Sequence, residues 1–308
     1  MPEISTRSAA ASARRTRGAM FALTSAVLFG ASMPLCKIFL ADIKPLALTG
    51  LLYGAAGTTL AAWRFFAPRI LPVEKPLGKR EIPWLLGSAL SGGVAAPLLL
   101  FIGLQLTPAS TSSLLMNFEI VMTVLIACLL FGERLTTYSV LGVSLITFGS
   151  VLLSWGGIPE GGSFWGIIAV LGSCACWSID SNFSRNVSHA DPVEYAMWKG
   201  LIGGVACVGM SVILQPAHIP LLTLLYAVLV GLTAYGISVV LFVYSLRDIG
   251  TARTGGYFAV YTFVGAIVAI PLLGESVNWA TAVAAGVMAG GVVLMFRENP
   301  VKGQAANQ

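Results

Sequence analysis

The sequence predicts an all-α membrane protein whose ten transmembrane helices form two inverted five-helix repeats. Three observations predict this fold: the composition, the spacing of the apolar segments and the distribution of positive charge. The chain has 308 residues, of which 56% are hydrophobic and 10% charged, and its mean hydropathy is +0.85. A soluble domain carries about 25% charged residues. So apolar a chain cannot cover itself with polar surface, and we expect lipid to be its solvent.

Ten apolar segments are each long enough to cross a bilayer, which takes roughly 20 helical residues. They lie near 18–40, 46–67, 82–106, 109–131, 137–154, 163–184, 192–214, 219–246, 251–272 and 278–296. The first is too long for a signal peptide, so we expect it to remain as a spanning helix. The predicted divisions are a cytoplasmic tail (1–17), a first repeat (18–155), a second repeat (163–297) and a second cytoplasmic tail (298–308).

Positive charge is concentrated on one side of these segments. With the N-terminus in the cytoplasm, most of the 18 Lys and Arg residues fall on the cytoplasmic side. Only Lys37 and Lys44 fall on the opposite side, and Lys199 lies within a segment. The positive-inside rule therefore predicts ten crossings with both termini cytoplasmic. The net charge of +5 belongs to this juxtamembrane pattern, so we expect no nucleic-acid partner.

Short sequence matches relate the two halves. CLLFGERLT (Cys128–Thr136) follows the fourth segment and IPLLGESVN (Ile270–Asn278) follows the ninth, and their Gly-Glu pairs are 142 residues apart. FGASMPLCK (Phe29–Lys37) matches WSIDSNFSR (Trp177–Arg185) at a spacing of 148, and each begins with an aromatic and ends with a cation. Five segments per copy require the second copy to enter from the opposite face. Inverted repeats of this kind are typical of secondary transporters, whose substrate site lies near the midplane.

Further stretches complete a family pattern. They are Gly30 and Pro34, Pro97–Leu115, Gly132 and Glu133, Trp177–Arg185, Leu241–Ala252, and Gly274 and Glu275. On these residues the chain resembles the drug/metabolite transporter superfamily, specifically the EamA-domain exporters, over about residues 18–297. Phe29 stands where members often carry Trp. The resemblance implies ten helices in the inner membrane and export of small metabolites by alternating access. It also implies a cavity lined by helices 1, 3, 4, 6, 8 and 9, with helices 5 and 10 at a dimer-like edge.

Glu119 lies halfway along the fourth segment, where a charge costs about 3 kcal/mol on insertion scales. A helical wheel places it on one semi-polar face with Ser112, Met116 and Thr123. The 142-residue spacing predicts that Tyr261 faces Glu119 from the other half. Glu119 could bind a cationic amine, or it could take up a proton and couple transport to the proton gradient. The alternative is a glutamate that only locks helices together.

Asp180, in the sixth segment, either lines the cavity or pairs with Lys199 or Arg185. Aromatic candidates for an amphipathic pocket are Phe101, Trp177, Tyr235, Phe258 and Tyr261. The other candidate binding residues are Ser112, Met116, Asn117 and Arg253, and the candidate gating or helix-end residues are Lys37, Arg185, Pro34 and Pro97. Asn117 could equally bond helices together, and the cations could simply mark the membrane boundary. Either proline could break a helix where its backbone lines the cavity.

Motifs for other functions are missing from the sequence. It has no nucleotide-binding loop, no metalloprotease motif and only two histidines. An aspartyl mechanism needs two carboxylates at one depth, and counting residues along ideal helices separates Glu119 and Asp180 by about 9 Å. The five cysteines lie in apolar segments and are interpreted as packing residues.

We therefore predict a transporter with no cofactor or metal, not an enzyme. A channel or helper subunit fits the inverted repeat less well. The predicted activity is export of an amino acid or amino-acid-derived zwitterion by alternating access with proton coupling. A metal-chelating metabolite or a cationic drug is the alternative substrate. The predicted partners are this small molecule, the lipid bilayer and a second copy in a homodimer.

Overall fold

The structure is a computed structural model that describes residues 2–66, 75–131, 137–155, 163–187, 189–214, 219–249, 251–276 and 278–296. These described residues form helices and short connections, with no strand among them. The helices are α1 (Pro2–Phe39), α2 (Pro45–Phe66), α3 (Ile82–Leu106), α4a (Ala109–Leu115), α4b (Phe118–Phe131), α5 (Thr137–Trp155), α6 (Phe164–Val187), α7 (Pro192–Leu214), α8 (Leu221–Ile249), α9a (Thr251–Phe258), α9b (Val260–Leu273) and α10 (Trp279–Phe296). Each predicted segment corresponds to one numbered helix.

Length and composition let seven of the described helices cross a membrane, namely α1, α2, α3, α6, α7, α8 and the ninth over Thr254–Leu273. Shorter apolar stretches lie in α5 and α10. The predicted all-α membrane fold is confirmed. One boundary differs, because α1 begins at Pro2 instead of residue 18. The Ala- and Arg-rich stretch before residue 18 has high helix propensity, and the described side chains place a stretch suited to the membrane at Ala13–Phe39.

Local signals fix several helix ends. Asp191 caps α7, since its Oδ1 accepts the backbone N–H groups of Val193 at 2.9 Å and Glu194 at 3.1 Å. Asn278 caps α10 in the same way, accepting from the N–H of Thr281 at 2.8 Å. Gly274 ends α9b with a φ of 65°, the left-handed conformation that favours glycine at this position.

The helices pair in a two-fold pattern. Helix α1 packs against α8 and both parts of α9, and α6 packs against α3 and both parts of α4. Helix α2 packs against α7, and α5 against α10. If each helix of the first half is exchanged with its counterpart in the second half, α1 with α6 and so on to α5 with α10, this set of pairings stays the same. The packing therefore supports the predicted repeat, and an odd number of helices in each half is what the predicted inversion requires.

Irregular turns recur at equivalent places. Helix α3 contains a π-helical turn at Ser91–Ala95, and α8 contains one at Gly231–Ile237. The fourth helix breaks at Met116–Asn117 and the ninth at Ala259, which is 142 residues after Asn117. The prediction of unbroken helices over 109–131 and 251–272 was wrong. At each break a side chain donates a hydrogen bond to a backbone carbonyl. The Asn117 amide donates to Leu114 O at 3.0 Å, and the Thr262 hydroxyl donates to Ala259 O at 2.9 Å.

Glycines allow α2 and α7 to approach closely. A Cβ at Gly204 would lie 2.4 Å from the Cα of Gly54, whereas a Cβ at Gly209 would meet nothing within 4 Å. We expect Gly204→Ala to destabilise the protein by about 1–3 kcal/mol, because backbone must move to admit the methyl group. Gly209→Ala on the same helix is the matched control. Thermal unfolding in detergent measures both, and equal midpoints would contradict this account of the α2–α7 contact.

Candidate functional site

An aromatic cluster lies where the two halves meet. The Phe29 ring of α1 is 5.7 Å from Trp177, 5.5 Å from Tyr235, 5.8 Å from Phe258 and 5.2 Å from Tyr261, measured between ring centroids. Phe29 and Trp177 are the matched aromatics of the repeated motif, so the pseudo-two-fold axis passes between them. Edge-to-face and tilted contacts of this kind stabilise aromatic clusters.

Four of the five aromatics predicted to shape a pocket therefore lie together. The fifth, Phe101, is fully buried in α3, and the described ring contacts do not include it. Sequence reasoning did not place Phe29 at the centre. Its match to Trp177 in the repeated motif was the signal that points there.

Glu119 and Tyr261 meet across the two halves. The Tyr261 hydroxyl donates a hydrogen bond to Glu119 Oε2 at 2.8 Å. Each residue lies in the first turn after the break in its helix, Glu119 in α4b and Tyr261 in α9b. Glu119 is half-buried, and no described cation forms a salt bridge with it. A carboxylate with one neutral donor and no cation can accept a proton or bind a cationic group.

The other candidates of the fourth helix have different surroundings. Ser112 and Met116 are fully buried, and Met116 Sδ lies 3.7 Å from the thiol sulfur of Cys174. The Asn117 Oδ1 atom accepts from the Thr262 hydroxyl at 3.1 Å, joining the two broken helices. Backbone hydrogen bonds at the break span three residues instead of four. An ideal helical wheel therefore does not give the orientation of Glu119 relative to Ser112, because the break lies between them.

Asp180 forms an ion pair, one of the two alternatives that the sequence left open. Its Oδ2 atom is 2.6 Å from Lys199 Nζ. Its Oδ1 atom accepts from the hydroxyls of Ser88 at 2.5 Å and Ser184 at 3.3 Å. The Tyr195 hydroxyl lies 2.6 Å from Ser88 Oγ and 2.5 Å from Ser184 Oγ. The pair is thus enclosed by hydroxyl groups of α3, α6 and α7.

The π-helical turn of α3 joins this pair to the aromatic cluster. The carbonyl of Gly92 accepts from the Tyr53 hydroxyl at 2.7 Å and from Trp177 Nε1 at 3.2 Å. A Cβ at Gly92 would lie 2.2 Å from Asp180 Oδ2, so only glycine leaves room for the carboxylate. π-Helical turns occur frequently at functional sites.

Glu119 and Asp180 lie closer in depth than predicted. The hydroxyl of Ser178 donates to the Glu119 carbonyl at 2.9 Å. Asp180 follows Ser178 by two residues, a rise of about 3 Å instead of the expected 9 Å. The prediction counted residues along ideal parallel helices. The two carboxylates nevertheless have separate partners, Tyr261 for Glu119 and Lys199 for Asp180.

Glu275 and Lys37 hold helix ends together at the face opposite the N-terminus. The Glu275 carboxylate accepts the backbone N–H groups of Ala109 at 2.6 Å and Ser110 at 2.8 Å, capping α4a. The Lys37 ammonium donates to the carbonyl of Thr107 at 2.5 Å. The predicted gating residue Lys37 therefore binds a carbonyl at the end of α3.

The two faces of the bundle differ in how α4 and α9 meet. At the Glu275 face, α4a packs against α9b. The equivalent pair at the other face, α4b and α9a, makes no such extended contact in the described part of the chain. Among the described residues, α4 and α9 therefore close the bundle at the Glu275 face and pack less at the face where α1 begins.

We expect Glu275→Gln to loosen the closed face. The neutral amide makes weaker hydrogen bonds to the α4a N–H groups and loses the favourable interaction with the helix dipole. A cysteine at Ser110, which is buried, reports opening through its rate of alkylation by a maleimide in detergent, in a background without native cysteines. Asp42→Asn, at the same face and bonded to Thr223, is the control. An unchanged rate in Glu275→Gln would contradict the proposed closure.

Several of the site residues predicted from the sequence have a different role, and others lie outside the residues that the structure describes. Pro34 does not break α1, which is continuous over Pro2–Phe39, whereas Pro97 lies two residues after the π-helical turn of α3 ends at Ala95. The side chains of Arg185 and Arg253 and all of Glu133 lie outside the described residues. Within the described residues, no group of three or more His, Cys, Asp or Glu side chains could hold a metal ion.

Comparisons with known proteins agree with this architecture. An uncharacterized transporter of Methanothermobacter thermautotrophicus is 29% identical over 303 residues, covering 92% of this chain and 87% of that protein. The uncharacterized inner membrane transporter YedA of Escherichia coli is 24% identical, covering 90% and 89%. A solved crystal structure shares the fold, with a TM-score of 0.69 at 20% identity over 91% of this chain and 98% of that one.

The two halves found in the packing are also the units of the family match. Residues 16–155 and residues 164–297 each match the model of the EamA-like transporter family. With both repeats matched and nearly the whole chain covered, the protein is a multi-pass membrane transporter that belongs to the EamA-like transporter family.

Proposed function

We propose that this transporter exports a small zwitterion, an amino acid or an amino-acid derivative, across the inner membrane in exchange for protons that bind Glu119. One observation carries the proposal: the Tyr261 hydroxyl donates to the Glu119 carboxylate between the two halves. Both termini lie in the cytoplasm, as the distribution of Lys and Arg predicts. The face where α1 begins is then the cytoplasmic one.

The position of Glu119 connects its occupancy to the packing of α4 and α9. Glu119 and Tyr261 each follow the break in one of these helices, and within the described residues these two helices pack most extensively at the Glu275 face. A proton on the carboxylate changes the bond to Tyr261. Ligand binding at this point can therefore favour one arrangement of α4 and α9 over the other, which is what alternating access requires.

The surroundings support a small zwitterion with an apolar part. The aromatic cluster around Phe29 provides an apolar wall. Glu119 places a negative group beside this wall, and Lys199 is a buried cation paired with Asp180 next to Gly92, which accepts from Trp177. Groups of both signs beside an apolar wall match a molecule that carries an amine, a carboxylate and an apolar side chain.

Proteoliposomes with an acidic interior test the proposal. For protein molecules whose cytoplasmic face points outward, proton efflux should drive uptake of labelled amino acids. We expect at least one amino acid to accumulate above protein-free vesicles and to be released by a protonophore. Accumulation of a cationic dye without any amino acid would favour a cationic drug as substrate. If neither accumulates under a proton gradient, the proposed coupling is wrong.

A further inference from the structure

Lys199 has spare hydrogen-bonding capacity in a buried place. Its side chain is only 9% exposed. An ammonium group has three N–H donors. Within the described residues, Nζ donates to Asp180 Oδ2 at 2.6 Å and to the Tyr195 hydroxyl at 3.5 Å, which is long for a hydrogen bond. At least one donor therefore has no described partner at a normal distance, and buried donors are normally satisfied.

The equivalent corner of the first half contains no charge. The 148-residue spacing places Ser32 at the position of Asp180 and Leu51 at that of Lys199. The Ser32 hydroxyl donates to Phe29 O within its own helix at 2.6 Å. Beside Ser32, α1 and α8 border a groove of about 220 Å³ that is mostly apolar. The first half therefore forms the corner around Ser32 and Leu51 without an ion pair between these two positions.

This internal comparison indicates that the fold does not need the pair. Replacing a buried ion pair with apolar residues is often neutral or stabilising, because two charges must be desolvated to form it. Ionisable residues kept inside a membrane bundle usually mark a substrate or ion pathway. The pair also lies beside the aromatic cluster, since Gly92 contacts Asp180 and accepts from Trp177.

We infer that Lys199 binds the carboxylate of the transported molecule. When the transporter is empty, the carboxylate of Asp180 takes the place of the substrate carboxylate beside Lys199. The inference rests on the proposed function and narrows its substrate class to carboxylate-bearing zwitterions. In the loaded state Lys199 donates to the substrate carboxylate. Asp180 keeps its hydrogen bonds from Ser88 and Ser184 through Oδ1.

Matched pairs of ligands test the inference. The probes are the standard amino acids and their C-terminal amides, which lack the carboxylate charge. Binding is measured by thermal stabilisation of the purified protein, and transport by counterflow in proteoliposomes. We expect the wild type to prefer each bound amino acid over its amide by about tenfold, the order of one charge-assisted hydrogen bond. Lys199→Met should remove this preference by weakening acid binding while leaving amide binding unchanged.

Two further variants distinguish a loss of carboxylate binding from a failure of Lys199→Met to fold. Lys199→Arg retains the charge and should keep a preference for acids. Asp180→Asn combined with Lys199→Met leaves no unpaired charge, so it should fold and still lack the preference. If either Lys199→Met or the double variant retains the preference, the inference is wrong. If the wild type moves amides but not acids, the inference fails while transport of small amines stands; if it moves neither, the proposed amino-acid transport fails as well.

Discussion

Replacing Glu119 with glutamine is expected to abolish proton-driven net transport while leaving substrate exchange in place. Glutamine has nearly the same shape and can still accept the hydrogen bond from Tyr261 through its amide oxygen, but it cannot bind and release a proton. The empty carrier then lacks the step that returns a proton across the membrane. Counterflow of labelled substrate, which needs no proton movement, should continue. Both rates are measured in the same proteoliposome preparation.

Tyr261→Phe is the matched control for this result. It keeps the carboxylate of Glu119 and removes only the hydroxyl that donates to it. We expect slower net transport that still depends on the proton gradient. If Glu119→Gln abolishes exchange as well as net transport, Glu119 belongs to the binding site instead of the coupling step. If both variants transport like the wild type, the carboxylate is structural.

The second large effect, a loss of stability, is expected when only one member of the Asp180–Lys199 pair is replaced. Asp180→Asn or Lys199→Met leaves one buried charge without its partner, which costs about 3–5 kcal/mol of stability. The double variant removes both charges and should recover most of this loss. Chemical or thermal unfolding of the purified proteins in detergent measures all three.

An exposed ion pair provides the comparison. Arg14 pairs with Asp248 at 3.2 Å, and the Arg14 side chain is 60% exposed. Arg17 also binds Asp248, so Arg14→Gln leaves that carboxylate paired. We expect almost no loss of stability, because solvent screens such contacts. A double variant as unstable as the single ones would show that Asp180 and Lys199 contribute separately.

The sequence was most informative where a pattern repeats. Apolar segments predicted every helix, because a bilayer requires long apolar runs. The 142-residue spacing between Gly-Glu pairs predicted that Tyr261 faces Glu119, and the structure places the two in hydrogen-bond contact. The role of this contact in transport stays a prediction.

Features that depend on distant contacts were not predictable. The break at Met116–Asn117 has no Gly or Pro beside it, and Gly255 and Gly256 lie three to four residues before the break at Ala259, too far to fix its position. Pro34 carries such a signal, yet α1 continues through it. The cap that Glu275 provides to α4a joins residues 166 apart in the chain, which no local pattern reveals.

The movement of protons tests the central claim most directly. Proteoliposomes containing a pH-sensitive dye are given an outward gradient of an amino acid that the wild type transports, with no initial pH difference. We predict that the wild type acidifies the lumen in proportion to substrate efflux, because protons enter as the amino acid leaves, and that Glu119→Gln exchanges labelled substrate without any pH change. Equal pH changes in both proteins would contradict proton coupling through Glu119. Substrate flux without a pH change in the wild type would contradict proton coupling altogether.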